Sequence, residues 1–335
     1  MTLVAPCPPT TRRIPRLLIA LVTAGLLVVG SACAQESSSV TGASTDGTRT
    51  VTDMEGRTVE LPAKVERVVT LGSVPVINSF MFALGKGDLI VDGLPDFATR
   101  DDRWSYQYVF APQIRNLPTM QTSDYSPRAE QLVNAHPDVV LTMMPGHVEP
   151  LAKLGVETIV LRWQDDEDVK QVVTLLGDVL GVPERAREYT DTFDSIVAEV
   201  EETVKDVPES QRLRALSLDP KAMTQPHTIS QWWIAKGGGK PVTEGNTVEI
   251  LKFNAEQVVT WDPEVIFVND RPSVDAVLND PKLAPVSAVK NNKVYNMPIA
   301  AHTWGNRTSE QPLSAAIAAS KMGRSPNSTT SGLRC

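Results

Sequence analysis

The body of the chain contains no cysteine. Among its 335 residues only Cys7, Cys33 and Cys335 are cysteines, so none lies between residues 34 and 334. A disulfide framework is therefore excluded for this region. With 41% hydrophobic and 21% charged residues, the composition is that of an ordinary globular protein, and the length favours two domains.

Positive charge is also scarce. The chain has 32 lysines and arginines against 40 aspartates and glutamates, which gives a formal net charge of −8 at pH 7. Surfaces that bind nucleic acid need clustered lysine and arginine, so this balance argues against a nucleic-acid partner. An anionic ligand stays compatible with it, because a local pocket can be basic on an acidic protein.

Catalytic and cofactor-binding motifs are missing too. The sequence has no H-E-x-x-H, C-x-x-C or G-x-S-x-G pattern. The stretch KGGGK (236–240) lacks the phosphate-loop spacing and is followed by Pro241, which favours a turn at the carboxyl end of a helix. We predict neither an enzyme nor a bound cofactor.

The apolar run near the N-terminus is too short to span a membrane. Residues 17–29 follow three arginines and fall short of the ~20 residues that cross a bilayer, which predicts a signal peptide over residues 1–32. The small residues before Cys33 resemble the lipobox of bacterial lipoproteins. This implies that Cys33 is lipidated and anchors the protein to the extracytoplasmic face of the cell membrane. An ordinary secretory signal is the alternative. The Ser, Thr and Gly of 33–49 predict a flexible tether.

Strand and helix signals alternate through the rest of the chain. A hairpin is predicted around Glu55 and Gly56. Short apolar runs predict strands at 67–71, 88–92, 138–142, 157–161, 213–218, 264–268 and 293–297. Helix-like stretches separate most of these runs, as in parallel sheets that are covered on both faces. The fold class is therefore α/β with mainly parallel sheets.

One long helix divides this alternating pattern. Residues 183–207 begin with Pro183, contain no further proline or glycine, and carry an apolar stripe three and four residues apart. Pro208 ends the helix. The predicted organisation is an N-terminal α/β lobe, a linker helix, a C-terminal α/β lobe and a disordered tail, over residues 50–182, 183–207, 208–322 and 323–335.

One phrase occurs in both lobes. AEQLVNAHPDVVL begins at residue 129, and AEQVVTWDPEVIFV begins 126 residues later. In each copy we predict a short helix, ended by a proline and followed by an inner strand. Ser126 is expected to cap the first helix, with Pro127 at its first position, and Asn254 is expected to cap the second.

Several motifs occur in the order found in a known family. They are DMEGRTVELPAKVERVVTL, ALGKGDLIV, EQLVNAHPDVVL, LAKLGVETIVL, EQVVTWDPEVIF and AVKNNKVYNMP. Over residues 50–322 the chain resembles the periplasmic-type binding proteins of iron-siderophore, haem and cobalamin ABC importers. The resemblance implies two α/β lobes joined by one long helix, a ligand cleft between them, and an ABC permease dimer with its ATPase as partner. The family continues with another helix after WGNRTSEQPLSAAIAAS, where this sequence turns polar, so we expect less packing in the second lobe.

The resemblance also gives the repeated phrase a role. In the family each lobe presents a surface glutamate near this place, and the pair docks onto arginines of the two permease subunits. Permease docking is thereby implied for Glu130 and Glu256, because charge pairs fix register and speed encounter. The alternative for either residue is a favourable charge in the first turn of a helix.

Ligand contacts are expected in the loops that follow strands. This rule points to 72–73, 143–147, 162–163, 219–227, 269–271 and 299–307, and the aromatic stretch 103–110 adds tyrosines. The predicted contacts are Ser73, Tyr106, Tyr108, Met143, His147, Arg162, Trp163, Arg271, His302 and Trp304. A guanidinium fork such as that of Arg162 suits carboxylate or hydroxamate oxygens, with a surface salt bridge as the alternative.

Histidine is too rare to favour a bare-metal site. Of four histidines, His136 is predicted to be structural. His147, His227 and His302 lie in loops facing the expected cleft, where any one could touch an exposed iron, although a solvated position is favoured. We predict no bound metal, and a receptor that delivers a metal chelate, first of all a ferric siderophore, to the permease. An extracytoplasmic hydrolase with an interlobe active site is the alternative.

Overall fold

A computed structural model describes residues 47–100 and 102–324. The predicted signal peptide, Cys33, nearly all of the tether and the tail beyond residue 324 lie outside these ranges. The strands are β1 Thr48–Thr52, β2 Thr58–Pro62, β3 Val68–Leu71, β4 Val139–Thr142, β5 Thr158–Val160, β6 Arg214–Ser217, β7 Thr224–Gln225, β8 Lys240–Pro241, β9 Leu251–Lys252, β10 Val265–Val268 and β11 Val294–Asn296.

Helices fill most of the connections between these strands. They are α1 Val74–Ala83, α2 Asp96–Thr99, α3 Gln107–Phe110, α4 Ala129–Ala135, α5 Val148–Ala152, α6 Asp168–Val179, α7 Pro183–Val204, α8 Ile229–Lys236, α9 Ala255–Trp261, α10 Arg271–Leu278, α11 Ser287–Lys290 and α12 Gln311–Lys321. No helix within the described ranges combines the length and the apolarity needed to cross a membrane.

The first lobe, residues 47–182, is built on a parallel sheet. Its strand order is β3-β4-β5, and every residue of the three strands is buried. Such Val-rich strands are typical of parallel sheets with both faces covered. Ile90 adds one parallel bridge to Val68 at the open edge. The strand predicted at 88–92 is therefore limited to this bridge, preceded by a 3-10 turn, Gly87–Leu89.

The hairpin predicted at Glu55 and Gly56 is confirmed by the antiparallel pair β1 and β2. Asp53 in its turn accepts hydrogen bonds from the backbone amides of Arg57, at 2.9 Å, and of Val160, at 3.1 Å. Because Val160 belongs to β5, the Asp53 carboxylate fastens the hairpin to the edge of the first sheet.

The second lobe, residues 208–324, has a parallel sheet of order β11-β10-β6-β8. All four residues of β10 are buried. The short strands β7 and β9 form a separate antiparallel pair. The two sheets confirm the α/β fold class, with β4 and β10 as inner strands of their sheets.

The linker helix α7 belongs to both lobes. Its 22 residues span about 33 Å at 1.5 Å per residue. Ala186 and Phe193 pack into the core of the first lobe, whereas Val200 and Val204 pack into a core of the second. The helix ends at Val204, earlier than the predicted residue 207. A residue that precedes a proline, as Val207 does, is disfavoured in helical conformation.

The repeated phrase forms the same structure in both lobes. The helices α4 and α9 have seven residues each and end in left-handed residues, His136 with φ 44° and Asp262 with φ 43°. Asn254 caps α9 as predicted, because its side chain accepts a hydrogen bond from the Gln257 amide at 2.9 Å.

The cap predicted for α4 is wrong. The helix begins at Ala129, behind Arg128, and has no side-chain cap. The Ser126 hydroxyl instead donates to the Asp124 carboxylate at 3.2 Å, and Pro127 forms an antiparallel bridge with Gln121. Local turn bonding of Ser126 thus competes with capping.

Candidate functional site

A cavity of about 880 Å³ opens between the two lobes. The first lobe contributes residues that follow β3, β4 and β5, as expected for the carboxyl ends of parallel strands. The second lobe contributes the start of α8, the segment before β9 and the loop after β11. The lining residues are Ser73, Val76, Met143, Trp163, Gln164, Asp165, Asp166, His227, Thr228, Ile229, Gln231, Trp232, Asn246, Thr247, Glu249, His302, Asn306 and Arg307.

Two tryptophans give the cavity an aromatic wall from each lobe. Trp163 makes an edge contact with Phe80, whose ring centroid lies 5.8 Å away. Trp232 lies on α8 and packs against Phe193 of the linker helix, at 6.2 Å between centroids. Both rings are therefore held from behind by the cores, which leaves them able to pack against a bulky ligand.

Four polar side chains of the second lobe form one hydrogen-bonded cluster around Glu249. Arg307 donates from Nη1 to Glu249 Oε1 at 2.8 Å and from Nη2 to the Thr228 hydroxyl at 2.8 Å. Thr228 donates to Glu249 Oε2 at 2.5 Å, and His227 Nδ1 lies 2.9 Å from Glu249 Oε1. We call these four residues the Glu249 cluster. The Thr228 hydroxyl of this cluster donates to the Glu249 carboxylate and not to the His227 ring, so the cluster does not pair a hydroxyl nucleophile with a histidine base.

The segment that carries Glu249 is held on α8. Gln231 donates from Nε2 to the Asn246 carbonyl at 2.8 Å, and the Asn246 side chain bonds both ways with the backbone of Val248. These bonds bring Glu249 over the first turn of α8, where Thr228 and His227 precede the helix.

The electrostatics of the cluster favour an ionised Glu249. Burial by itself raises the pKa of this carboxyl, but hydrogen bonds from His227, Arg307 and Thr228 outweigh it and hold the pKa well below its usual range. Arg307 is 9% exposed, so its charge is largely removed from water and depends on the carboxylate. Its Nε has no hydrogen-bond partner among the described residues.

His302 occupies a different environment. Its ring stacks at a tilt on Trp104, at 4.6 Å between centroids, and its backbone amide donates to Glu310 at 3.1 Å. Burial lowers the pKa of His302 to about 4, which makes the imidazole neutral at pH 7. Within the described ranges no three His, Cys, Asp or Glu side chains are grouped so that they could hold a metal ion.

Direct contacts tie the lobes together beside the cavity. Arg103 Nη2 lies 2.9 Å from Asp270 Oδ2 across the interface. Gln107, which is fully buried, donates from Nε2 to the Ala301 carbonyl at 2.6 Å. These bonds fix the relative position of the two cavity walls.

Four of the predicted ligand contacts line the cavity. Ser73, Met143 and Trp163 follow β3, β4 and β5, and His302 follows β11. These four side chains are far apart in sequence, and the rule that ligands bind at the carboxyl ends of strands (the strand-end rule) predicted that they lie together.

Three other predicted contacts in the first lobe lie outside the lining. Tyr106 is 49% exposed, and the Tyr108 ring is covered by the Arg115 guanidinium, 4.1 Å from the ring centroid. His147 is buried and its Nδ1 lies 2.9 Å from the Thr142 hydroxyl, which makes it part of the packing behind β4. Burial lowers the pKa of His147.

Arg162, Arg271 and Trp304 also lie outside the lining. The Arg162 side chain is 48% exposed, with Nε 4.0 Å from Asp168 Oδ2. Arg271 is the exposed first residue of α10, and Trp304 packs against a core of the second lobe. The strand-end rule locates a loop but not the direction of each side chain in it.

Glu249, Asn246, Trp232, Asp165 and Asp166 line the cavity but were not predicted. Arg307 and His227 lie in loops that the rule indicated, although neither was selected as a contact. For Trp232 no sequence signal distinguishes cavity from core. Asp165 and Asp166 follow Trp163 after one intervening residue, Gln164, so extending that loop would have found them.

The helices α4 and α9 lie apart from the cavity lining. Glu130 and Glu256 are exposed and occupy the first turn of their helices. Each helix precedes an inner strand, so both glutamates are near the amino ends of the strands, whereas the cavity residues follow the carboxyl ends.

Comparisons with known proteins agree with this architecture. A sequence model described as periplasmic binding protein matches residues 84–301, more than half of the chain. The ferric enterobactin-binding periplasmic protein FepB of Escherichia coli O6:H1 is 24% identical over 302 residues, which cover 82% of this chain and 89% of that protein.

Solved structures share the fold. MolA of Haemophilus influenzae, bound to molybdate, aligns with a TM-score of 0.71 and 20% identity over 82% of this chain and 91% of its own. A protein of an Fe³⁺-hydroxamate transport system from Saccharomonospora viridis aligns with a TM-score of 0.61 and 21% identity, over 82% and 98%. Two lobes, one long shared helix and the family match lead to one conclusion: the chain belongs to the periplasmic binding protein family, the solute-binding components of ABC importers.

Proposed function

We propose that this binding protein delivers a ferric siderophore to its ABC import permease from the outer face of the cell membrane. The observation that carries the proposal is the interlobe cavity of about 880 Å³, lined from both lobes. Pockets for ligands of drug size occupy roughly 300–1,000 Å³, so this cavity has room for a whole chelate.

Size is the argument for a chelate over an oxyanion. The relatives bind different solutes: FepB is named for ferric enterobactin, and the MolA structure holds molybdate. A single tetrahedral oxyanion would fill a small part of this cavity and leave the aromatic walls without contact. A siderophore complex has an apolar periphery for Trp163 and Trp232 and many oxygens for amide donors such as Asn306.

The ligand contacts that we propose follow the cavity. Ser73, Met143, Trp163 and His302 keep the role predicted for them, and Trp232 and Asn246 join them. For Tyr106, Tyr108, His147, Arg162, Arg271 and Trp304 the positions described above favour structural or surface roles.

Docking and anchoring complete the proposed function. Glu130 and Glu256 would meet arginines of the two permease subunits, since they occupy equivalent, exposed positions in the two lobes. Cys33 would carry the lipid that keeps the receptor near the permease. Cys33→Ser is expected to block processing or to release the protein from membranes. Normal cleavage and continued membrane attachment of this variant would contradict lipidation.

Tryptophan fluorescence tests the ligand. We expect titration with ferric siderophores to quench the emission, and haemin, cobalamin and molybdate to leave it unchanged at equal concentration. Trp163→Phe should remove much of the change. Trp261→Phe is the matched control, because Trp261 packs on Phe253 in the second lobe, outside the cavity. Quenching by molybdate, haemin or cobalamin with no response to any siderophore would overturn the proposal.

A further inference from the structure

The cavity carries more negative than positive charge. Its lining includes three carboxylates, those of Asp165, Asp166 and Glu249, and one guanidinium, that of Arg307. His302 is neutral at pH 7, as described above. A ligand that enters between the lobes therefore meets a negatively charged site. An acidic chelate would require a positively charged one.

The one arginine in the lining is already compensated. Both terminal nitrogens of Arg307 donate at 2.8 Å, one to Glu249 and the other to Thr228. Thr228 in turn donates to the same carboxylate. Glu249 thus occupies the position in which an anionic group of a ligand would bind the fork of Arg307, and such a ligand would have to displace it.

Arg103 and Arg162, the two arginines that flank the cavity, each lie beside a carboxylate. Arg103 pairs with Asp270 at 2.9 Å, and Arg162 lies 4.0 Å from Asp168 and is about half exposed. Neither belongs to the cavity lining. Among the described residues, the lining therefore holds no guanidinium besides Arg307 that could neutralise a multiply charged anion.

Asp165 and Asp166 add charge without compensation. They lie in the loop that follows Trp163, and neither forms an ion pair within the described ranges. Their loop is fixed, because the amide of Asp165 donates to Asp168 at 2.9 Å and the Asp166 carbonyl accepts from Gln311 of the second lobe at 3.1 Å. The backbone that carries both carboxylates is consequently held at the cavity wall. A concave wall with low-dielectric sides concentrates their field.

We propose that the site selects a neutral or positively charged ferric chelate, of the trihydroxamate class, and rejects a triply negative tris-catecholate. This inference rests on the proposed function and adds the charge of the ligand to it. Selection arises from repulsion: an anionic complex of similar size meets Asp165 and Asp166 and must also compete with Glu249 for Arg307. A neutral complex can use the aromatic walls and the amide donors without either cost.

Three chelates of known charge provide the test. Ferrioxamine B carries one ammonium group, its N-acetylated form is neutral with the same metal centre, and ferric enterobactin is triply negative. Affinities are measured by tryptophan quenching in low salt. We expect ferrioxamine B to bind roughly three- to tenfold more tightly than the acetylated form, and ferric enterobactin to bind roughly a hundredfold or more weakly than the neutral chelate.

Variants identify the carboxylates responsible. Glu249→Gln frees Arg307 and should raise the affinity for ferric enterobactin roughly tenfold relative to the affinity for the neutral chelate. Asp165→Asn with Asp166→Asn tests the wall charge independently, should Glu249→Gln perturb folding, and should abolish the preference for ferrioxamine B over its acetylated form. Glu60→Gln, on the exposed face of β2, is the control and should change nothing.

Each outcome decides a different statement. Binding of ferric enterobactin as tightly as the neutral trihydroxamate would overturn the charge inference and leave the siderophore receptor in place. No preference between the two ferrioxamines at low salt, or a preference that does not weaken as salt is added, would also overturn it. Failure of all three chelates to bind the folded protein would overturn the proposed function together with the inference.

Discussion

The two lobes are alike at their outer edges and different at the walls that face each other. The repeated phrase forms helices of equal length in both lobes, each with an exposed glutamate in its first turn. In the cavity, by contrast, the second lobe presents the Glu249 cluster, whose polar groups bond to one another, and the first lobe presents Asp165 and Asp166, which have no ionic partner among the described residues. The similarity fits a partner that meets both lobes at once, and the difference fits a ligand that is held by two chemically distinct walls.

The largest effect is expected from breaking the similarity. Replacement of both Glu130 and Glu256 by arginine should abolish uptake, because like charges would then face the permease arginines that we propose as their docking partners. Ligand affinity and melting temperature should stay at wild-type values, since both side chains are exposed and distant from the cavity lining. Stimulation of the permease ATPase in reconstituted vesicles measures the loss.

Reversing the charge of one glutamate at a time tests whether both lobes take part in docking. If Glu130→Arg and Glu256→Arg each cause part of the loss, the two lobes contribute separately to docking. Wild-type uptake by the double variant would show that the repeat reflects only the similar folds of the lobes.

An effect of intermediate size is expected from two groups, one in each lobe, whose pKa shifts make the stability of the protein depend on pH in opposite directions. In the first lobe, burial raises the pKa of Asp92 to about 7, although Thr70 donates to its carboxylate. In the second lobe, burial lowers the pKa of His302 to about 4. The folded protein therefore retains the Asp92 proton as pH rises from ~4 to ~7, whereas the unfolded chain releases it. That contribution to stability is lost with rising pH. For His302 the unfolded chain takes up a proton between pH ~6.5 and ~4, so stability is lost with falling pH.

Substitution of each residue separates the pH dependence that Asp92 gives to the free energy of unfolding from that given by His302. Relative to wild type, Asp92→Asn should gain up to ~3 kcal/mol in free energy of unfolding between pH 4.5 and 7.5, and His302→Gln should gain less in the opposite direction, because His302 is partly exposed. Urea unfolding across this range measures both gains. Variants that follow the wild-type profile in parallel would contradict these assignments.

The smallest effect is expected at Arg162. Its side chain is half exposed and lies outside the lining, so Arg162→Ala should change chelate affinity less than about twofold. Arg307→Lys, the comparison in the second lobe, should weaken binding more, because lysine cannot donate to Glu249 and Thr228 in the same fork geometry. A large loss of chelate affinity in Arg162→Ala would show that Arg162 contacts the ligand.

The sequence predicted those features that depend on local pattern. Buried Val-rich runs, the proline-started linker helix and the Asn254 cap all depend on neighbouring residues, and the strand-end rule then located Ser73, Met143 and Trp163. The Glu249 cluster could not be predicted in this way. Glu249 precedes a two-residue strand and bonds to Arg307, 58 residues further along. Its role follows from packing between segments that are distant in sequence, and the spacing of apolar residues does not predict such contacts. Exposure of Tyr106 and the covering of Tyr108 by Arg115 depend on such packing as well.

The linker helix has a consequence for how the protein unfolds. Its first half completes the core of one lobe and its second half completes a core of the other. If one lobe unfolded alone, the apolar side chains of the linker helix that pack into it would become exposed to water, while the other half of the helix stayed packed in the folded lobe. The buried hydrogen bond from Gln107 to the Ala301 carbonyl would be lost as well. The two lobes should therefore behave as one cooperative unit, losing structure in a single transition in which calorimetric and van't Hoff enthalpies agree.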